Sequence, residues 1–148
     1  MGAKVAVALE MRAIDMAKVL LVDDDPTSRL TLQAVLTMGG YSVDAASSAA
    51  EAIGKLESTE YSLVLSDLHA DSSDAGLQLM AFARSMQYRP ATALLTSSRT
   101  VEIAPVGRVK GDVLIEPQDV PELLVKVADL IGERASRMLQ RELRQSRN

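Results

Sequence analysis

Side chains that can bind a metal ion or a phosphoryl group follow four apolar runs of this sequence. They are Asp23, Asp24 and Asp25 after the first run, then Asp67, Thr96 and Glu116. If these runs are parallel β-strands, their carboxyl ends meet at one edge of a sheet, where such sheets bind ligands. Carboxylates that converge there cannot all ionise cheaply without a cation, so we expect bound Mg²⁺, with Mn²⁺ as the alternative. A metal beside a carboxylate and a hydroxyl suits phosphoryl chemistry.

The elements that must position these side chains alternate between short apolar runs and helical patterns. Three of the runs are almost continuously apolar, as in parallel strands that are covered on both faces. Strand followed by helix, repeated, predicts right-handed βαβ units. We therefore expect an α/β fold with a doubly wound five-stranded parallel sheet and helices on both faces. The predicted strands are 18–22, 41–45, 61–66, 91–96 and 112–116, and the predicted helices between them are 26–38, 48–59 and 75–87.

The last two connections of the chain are less regular. Pro105 and Gly107 interrupt the segment 98–111, so we expect at most two helical turns there. A final helix is predicted from near Val120, with a proline in its first turn, to about Arg144. These patterns divide the chain into an N-terminal extension (1–16), one domain (17–132) and a C-terminal helical extension (133–148). Helical spacing of apolar residues continues into this last extension, at Met138, Leu139 and Leu143, so we predict a homodimer or a docked partner helix.

Composition excludes several classes of protein. The chain has 148 residues, of which 47% are hydrophobic and 24% charged, enough for one domain with a sizeable core. A net charge of -4 gives no general attraction to nucleic acids or anionic membranes, and we expect Arg29 and the arginines near the C-terminus to be solvated. The sequence contains no cysteine, hence no disulfides or thiolate metal sites. No apolar run approaches the ~18 residues needed to span a membrane. We predict a cytoplasmic protein with neither membrane nor direct nucleic-acid binding.

The strand-end motifs resemble those of a known family. The segments VLLVDDDPTSR, YSLVLSDLH, ALLTSS and VLIEP occur in the order, and at nearly the spacing, of the receiver domain of two-component response regulators. The resemblance covers residues 17–132. It implies a flavodoxin-like fold similar to that of the chemotaxis regulators, and a place in a phosphorelay whose partners are a histidine kinase or phosphotransferase and a separate output protein.

The resemblance also implies a role for each matching residue. Asp23 and Asp24 would hold Mg²⁺, and Asp67 would be both a metal ligand and the phospho-acceptor. The main-chain carbonyl of His69 would complete the metal shell, while the side chain of this single histidine would be a loop residue. The hydroxyl of Thr96 would bind the phosphoryl oxygens and reposition on activation. Apart from self-phosphorylation and self-dephosphorylation, such a module is not an enzyme.

Departures from the family pattern put the ordinary switch in question. Val113 replaces the aromatic residue that normally couples to the hydroxyl of Thr96, and Glu116 replaces the lysine that pairs with the phospho-acceptor. Two unit charges ~4 Å apart interact by about 4 kcal/mol at an effective dielectric of 20, so a glutamate directed into the crevice would oppose an acyl phosphate. A glutamate that turns to solvent would be tolerated. The chain is thus expected to accept a phosphoryl group or to be a degenerate receiver that only binds proteins.

An enzyme alternative uses a different subset of the same residues. Asp23, Asp25 and Thr27 match the D-x-D-x-T nucleophile motif of haloacid-dehalogenase-type phosphatases, and ALLT and KGDVLIE imitate two further motifs of that family. Only a short segment separates Thr96 from the later motif, however, and Asp67 is left without a role. The receiver is therefore the favoured interpretation.

Overall fold

A single parallel sheet organises the part of the chain that the computed structural model describes, residues 17–67, 73–95 and 114–146. Its strand order is β2-β1-β3-β4-β5, and every neighbouring pair is parallel. The chain reverses its direction of progress across the sheet after β2, which places the switch point between β1 and β3. The strands are β1 (Lys18–Val22), β2 (Ser42–Ala46), β3 (Leu63–Asp67), β4 (Ala91–Leu95) and β5 (Leu114–Ile115).

Helices cover both faces of this sheet, as predicted for a doubly wound fold. Side chains of α1 and α4, among them Leu36 and Leu123, are buried against one face. Side chains of α2 and α3, among them Leu56 and Leu79, are buried against the other. Alternate residues of the central strands enter each of the two cores, which explains why those strands are apolar throughout. The helices are α1 (Pro26–Met38), α2 (Ala49–Ser58), α3 (Ser73–Ser85) and α4 (Val120–Ser146).

The register of the strands brings their carboxyl ends to one edge of the sheet. Val22 pairs with Ser66 of β3, Asp67 pairs with Leu95, and Leu95 pairs with Ile115. The strands therefore end at nearly the same level. Residues that directly follow β1 and those that end β3 lie side by side, as the sequence predicted.

The predicted element boundaries agree with the structure to within a few residues. β1 and α1 begin and end where they were predicted, and β5 is described over Leu114–Ile115, while residues 112 and 113 of the predicted strand lie outside the described residues. The final helix extends to Ser146 as one continuous element. The interrupted segment 98–111 lies outside the described residues. Within the described part of the chain, no helix combines the length and the apolar character needed to cross a membrane.

Two tyrosines, the buried Tyr61 and the partly buried Tyr88, fix the elements on the α2 side of the sheet. The hydroxyl of Tyr61 donates to the Asp44 carboxylate of β2 at 2.7 Å. The hydroxyl of Tyr88 donates to the carbonyl of Leu56 at 2.9 Å, and so joins the end of α2 to the segment before β4. Arg134 of α4 donates to the carbonyl of Tyr88 at 2.8 Å, which ties α4 to the same segment.

Candidate functional site

The first acidic turn begins as a continuation of β1. The amide of Asp23 donates to the carbonyl of Ala46 at 3.0 Å, which extends the ladder between β1 and β2 by one bond. This pairing holds the Asp23 side chain inside the protein, with 1% of its surface exposed. One carboxylate oxygen, Oδ1, accepts from the amide of Asp25 at 2.9 Å. The other, Oδ2, is buried and has no hydrogen-bond partner among the described residues.

A buried carboxylate oxygen without a donor is unfavourable unless a cation binds it. Carboxylate oxygens of Asp23, Asp24 and Asp67 lie within 4.8 Å of one another. Asp23 is buried, Asp67 is half-buried and Asp24 is exposed, so the group opens toward solvent on one side. Oxygen ligands at this separation fit a small hard cation such as Mg²⁺, which usually retains several water ligands. These three carboxylates therefore form the candidate metal site.

Asp25 has a different task from its two neighbours. It is the N-cap of α1, and its carboxylate accepts from the amide of Ser28 at 3.1 Å. Pro26 follows in the first position of the helix, where its missing amide hydrogen costs nothing. Only two of the three consecutive aspartates thus join the metal group.

Small side chains form the remaining walls of the crevice beside the three carboxylates. Ser47 and Ser48 come from the connection between β2 and α2, and Ser66 and Gly76 come from β3 and α3. A methyl group at Gly76 would lie 3.9 Å from the carbonyl oxygen of Asp67, in ordinary contact. Gly76 thus tolerates a methyl group, and small side chains line the crevice next to Asp67.

One wall of the crevice is fixed by hydrogen bonds. The Glu51 carboxylate accepts from the amide of Ser47 at 3.3 Å and from its hydroxyl at 3.0 Å. These bonds lower the pKa of Glu51 below its ordinary value, with smaller contributions from Lys55 and Arg29. Ser48 caps α2 by accepting from the amide of Glu51 at 3.1 Å. The wall of the crevice that Ser47 and Ser48 form is therefore held by their hydrogen bonds with Glu51.

Arg29 contacts the main chain of the site, which the sequence did not reveal. It was expected on a solvated helix face, but it is half-buried, and its Nη1 donates to the main-chain carbonyl of Asp23 at 2.8 Å. Its guanidinium reaches back over the first turn of α1 and holds the peptide that carries Asp23. The helix dipole disfavours a cation near the N-terminus of a helix. The position of Arg29 in the first turns of α1 was therefore the feature of the sequence that could have indicated a specific contact.

Family membership follows from comparison with known proteins. The family model of the response regulator receiver domain matches residues 19–127. The chain belongs to this family. The chain is 35% identical over 121 residues to the transcriptional regulatory protein GlrR of Escherichia coli strain K12, an alignment that covers 80% of this chain and 27% of GlrR. The chain thus spans about a quarter of the length of that relative.

Solved receiver structures have the same fold. A response regulator receiver protein from Sinorhizobium medicae WSM419 superposes with a TM-score of 0.69 at 27% identity, covering 80% of this chain and 97% of that one. The response regulator TrrA from Thermotoga maritima, in complex with Mg²⁺ and BeF, superposes with a TM-score of 0.60 at 26% identity, covering 78% and 99% of the two chains. Receiver domains bind Mg²⁺ at an acidic cluster, and this receiver has such a cluster.

Glu116 of this receiver lies apart from the three clustered carboxylates. Glu116 directly follows β5, and its side chain is exposed. Of the carboxylates in the described residues, the metal group contains Asp23, Asp24 and Asp67 but not Glu116. Its strand ends two strand spacings, about 10 Å, from β3, and its carboxylate is solvated, so a role of Glu116 beside the phospho-acceptor stays a prediction. Thr96, His69 and Val113 lie outside the described residues, so their predicted roles remain predictions.

The phosphatase alternative has no support in this receiver. It required Asp23 and Asp25 to act together, but the carboxylate of Asp25 caps α1 instead of joining the metal group. Thr27, the third residue of that motif, is exposed within α1. Asp67, which that alternative left unused, is the residue that the fold brings to the two other acids.

Proposed function

We propose that this receiver accepts a phosphoryl group on Asp67 from a histidine kinase or a phosphotransferase. In that reaction a carboxylate oxygen of Asp67 forms a bond to phosphorus as the bond between phosphorus and the donor histidine nitrogen breaks. The electron pair of the broken bond stays on the donor nitrogen, and a proton on the other ring nitrogen makes the released imidazole neutral. The observation that carries the proposal is the meeting of Asp23, Asp24 and Asp67 within 4.8 Å, with a buried oxygen of Asp23 left for a cation.

Each residue of the site has a distinct task in this proposal. Asp23, Asp24 and Asp67 would hold Mg²⁺, which neutralises charge that develops on the transferring group. Arg29 holds the Asp23 peptide, and Ser47 and Ser48 line the same crevice as Asp67. From the family resemblance we propose that the His69 carbonyl adds a metal ligand and that Thr96 contacts the phosphoryl oxygens. Self-phosphorylation and self-dephosphorylation would be the only chemistry of the module.

The wider setting follows the family as well. We propose that a separate output protein reads the state of this domain, that the domain functions in the cytoplasm, and that residues 17–132 form the receiver between extensions at 1–16 and 133–148. The proposed boundary at 132 falls inside α4, which is a single helix from Val120 to Ser146. One helix therefore joins the receiver to its C-terminal extension without a break.

Incubation with acetyl phosphate and Mg²⁺, followed by mass spectrometry, tests the proposed phosphorylation. We expect the mass of one phosphoryl group to be added to the wild-type protein and to map to Asp67. Asp67→Asn should gain nothing, whereas the matched control Asp25→Asn should gain it normally, because asparagine also caps helices well. Phosphorylation that persists in Asp67→Asn would refute the assignment.

A second candidate function is a degenerate receiver that binds proteins without being phosphorylated. The observation that favours it is the carboxylate of Glu116 in place of the family's lysine. The two candidates differ in the experiment above. A protein that binds Mg²⁺ but gains no mass at Asp67 would be the degenerate form.

Glu116→Lys should strengthen binding of beryllofluoride, a phosphoryl analogue, only modestly. Unit charges about 10 Å apart in water interact by about 0.4 kcal/mol, so reversing one exposed charge should raise the affinity about two- to fourfold. Titration in Mg²⁺ at low and high salt measures this change, which screening should remove at high salt.

The matched control for that experiment is Glu57→Lys. Glu57 is exposed near the end of α2, away from the carboxyl ends of the strands, so the same charge reversal there should leave the affinity unchanged. A gain of more than tenfold for Glu116→Lys, insensitive to salt, would mean that the side chain enters the crevice after all.

A further inference from the structure

The outer side of α4 carries apolar side chains that nothing in the described structure covers. The inner side of α4 is anchored by Leu123 and Val127, which are buried against the sheet. The exposed fractions of the outer side chains are 59% for Val125, 57% for Leu139 and 55% for Leu143. Large apolar residues that recur along one face of a long helix indicate a surface for another helix.

The outer face follows the spacing of a helix pair. Successive positions alternate between three and four residues apart, which is the heptad pattern of two interlocking helices. A methyl group at Gly132 would meet no atom within 4 Å, so the middle of the stripe is open to a partner. The stripe consists of Val125, Ala128, Gly132, Ala135, Leu139 and Glu142.

Charge divides α4 into two unlike halves. Residues 120–133 contain three acids (Glu122, Asp129 and Glu133) and one lysine (Lys126), a net charge of −2. Residues 134–146 contain four arginines (Arg134, Arg137, Arg141 and Arg144) and one glutamate (Glu142), a net charge of +3. A partner that matches this pattern must present positive charge beside the first half and negative charge beside the second. The reversed α4 of a second copy has this charge order.

We propose that α4 pairs antiparallel with α4 of a second copy of this chain through the outer stripe. The antiparallel arrangement sets Ala128 against Leu139 and Gly132 against Ala135, so small residues face large or small ones without steric conflict. It also sets each acidic half against a basic half. A parallel pair would instead bring two Glu142 carboxylates and two basic halves together, which is repulsive. This inference is independent of phosphorylation at Asp67.

Single cysteines test the orientation cleanly, because the natural sequence contains none. Val125→Cys and Glu142→Cys are 17 residues apart, about 25 Å along the helix. Under mild oxidation we expect a disulfide between the two variants when they are mixed, and none when either is oxidised alone. Arg137→Cys, on the opposite face, should form none in any mixture.

Two results would overturn the proposal. Disulfides within Val125→Cys alone would demonstrate a parallel pair, and no disulfide in any sample would exclude pairing through this stripe.

Sedimentation equilibrium supplies a second measurement. Ala135→Glu places a charge in the middle of the stripe, whereas Gln140→Glu adds the same charge to an exposed position outside it. We expect the first change to raise the dimer dissociation constant at least about tenfold and the second to leave it nearly unchanged. Equal effects of the two changes, or a wild-type protein that is monomeric throughout, would contradict the proposal. Circular dichroism confirms that both variants remain folded.

Discussion

Asp23→Asn is expected to make the metal-free protein more stable and to remove its stabilisation by Mg²⁺. In the wild type, a buried oxygen of Asp23 has no hydrogen-bond partner among the described residues, and two other carboxylates lie close by. A buried unsatisfied polar group costs about 1–3 kcal/mol, and a charged one costs more. The neutral amide removes the charge and most of this cost. The same change removes the ligand that a metal would need.

Thermal or urea unfolding with and without Mg²⁺ measures both effects. At a concentration 100 times its dissociation constant, a ligand adds about 2.7 kcal/mol to the free energy of unfolding, so the wild type should respond clearly to the metal. Asp25→Asn is the control, because it removes one charge from the same turn but keeps the helix cap. A full Mg²⁺ response in Asp23→Asn would show that Asp23 is not the central ligand. A metal-free variant less stable than the wild type would show that the buried oxygen of Asp23 does not destabilise the protein.

Tyr61→Phe should destabilise the protein by about 1.5–3 kcal/mol, the usual contribution of a hydrogen bond to a charged group. Tyr61 is fully buried, and its hydroxyl donates to the Asp44 carboxylate at 2.7 Å. The ring would keep its packing, so the loss comes from the hydroxyl and from the carboxylate left without it. Tyr41→Phe is a matched control, because the same atom is removed where no hydrogen bond of the hydroxyl is found among the described residues. Equal losses in the two variants would refute the importance of the bond.

The same tyrosine should make the protein sensitive to alkaline pH. Burial, together with the bond to Asp44 and the charge of Asp44, raises the pKa of Tyr61 far above its ordinary value. A raised pKa in the folded state means that the folded protein holds the proton more tightly, so stability is fully present below about pH 10 and falls as the pH rises further. Unfolding measured from pH 8 upward should show a smaller alkaline loss in Tyr61→Phe. Part of the loss should persist, because burial also raises the pKa values of Tyr88 and Tyr41.

The sequence predicted well what depends on periodicity and poorly what depends on side-chain direction. Continuous apolar runs bounded by turn residues located β1 and α1 correctly, and strand ends brought Asp23, Asp24 and Asp67 together as expected. The position of a residue at a strand end does not, however, predict the direction of its side chain. Glu116 directly follows β5, as predicted, and its side chain is nevertheless exposed.

Two neighbours of the metal group illustrate the same limit. Asp25 and Asp24 are identical in type and adjacent in sequence, but one caps α1 while the other belongs to the carboxylate group. The family resemblance distinguished them correctly, whereas the local pattern of residues alone did not. Helical periodicity predicts which face of a helix a residue lies on, and it placed Arg29 on the face toward solvent. It does not predict that the guanidinium donates to the carbonyl of Asp23, which precedes the helix.

The anchoring of α4 by Arg134 has a mechanical consequence. Arg134 bonds to the carbonyls of Tyr88 and Arg89, and α4 then continues to Ser146, about 18 Å further. Arg89 itself has a left-handed backbone (φ 44°), which holds those carbonyls in a turn just before β4. The helix is therefore a lever arm with its pivot on that turn. A tilt of about 10° at the pivot moves the tip by about 3 Å, roughly the length of a hydrogen bond. Any tilt of α4 at this turn would therefore produce a larger displacement at the end of the helix.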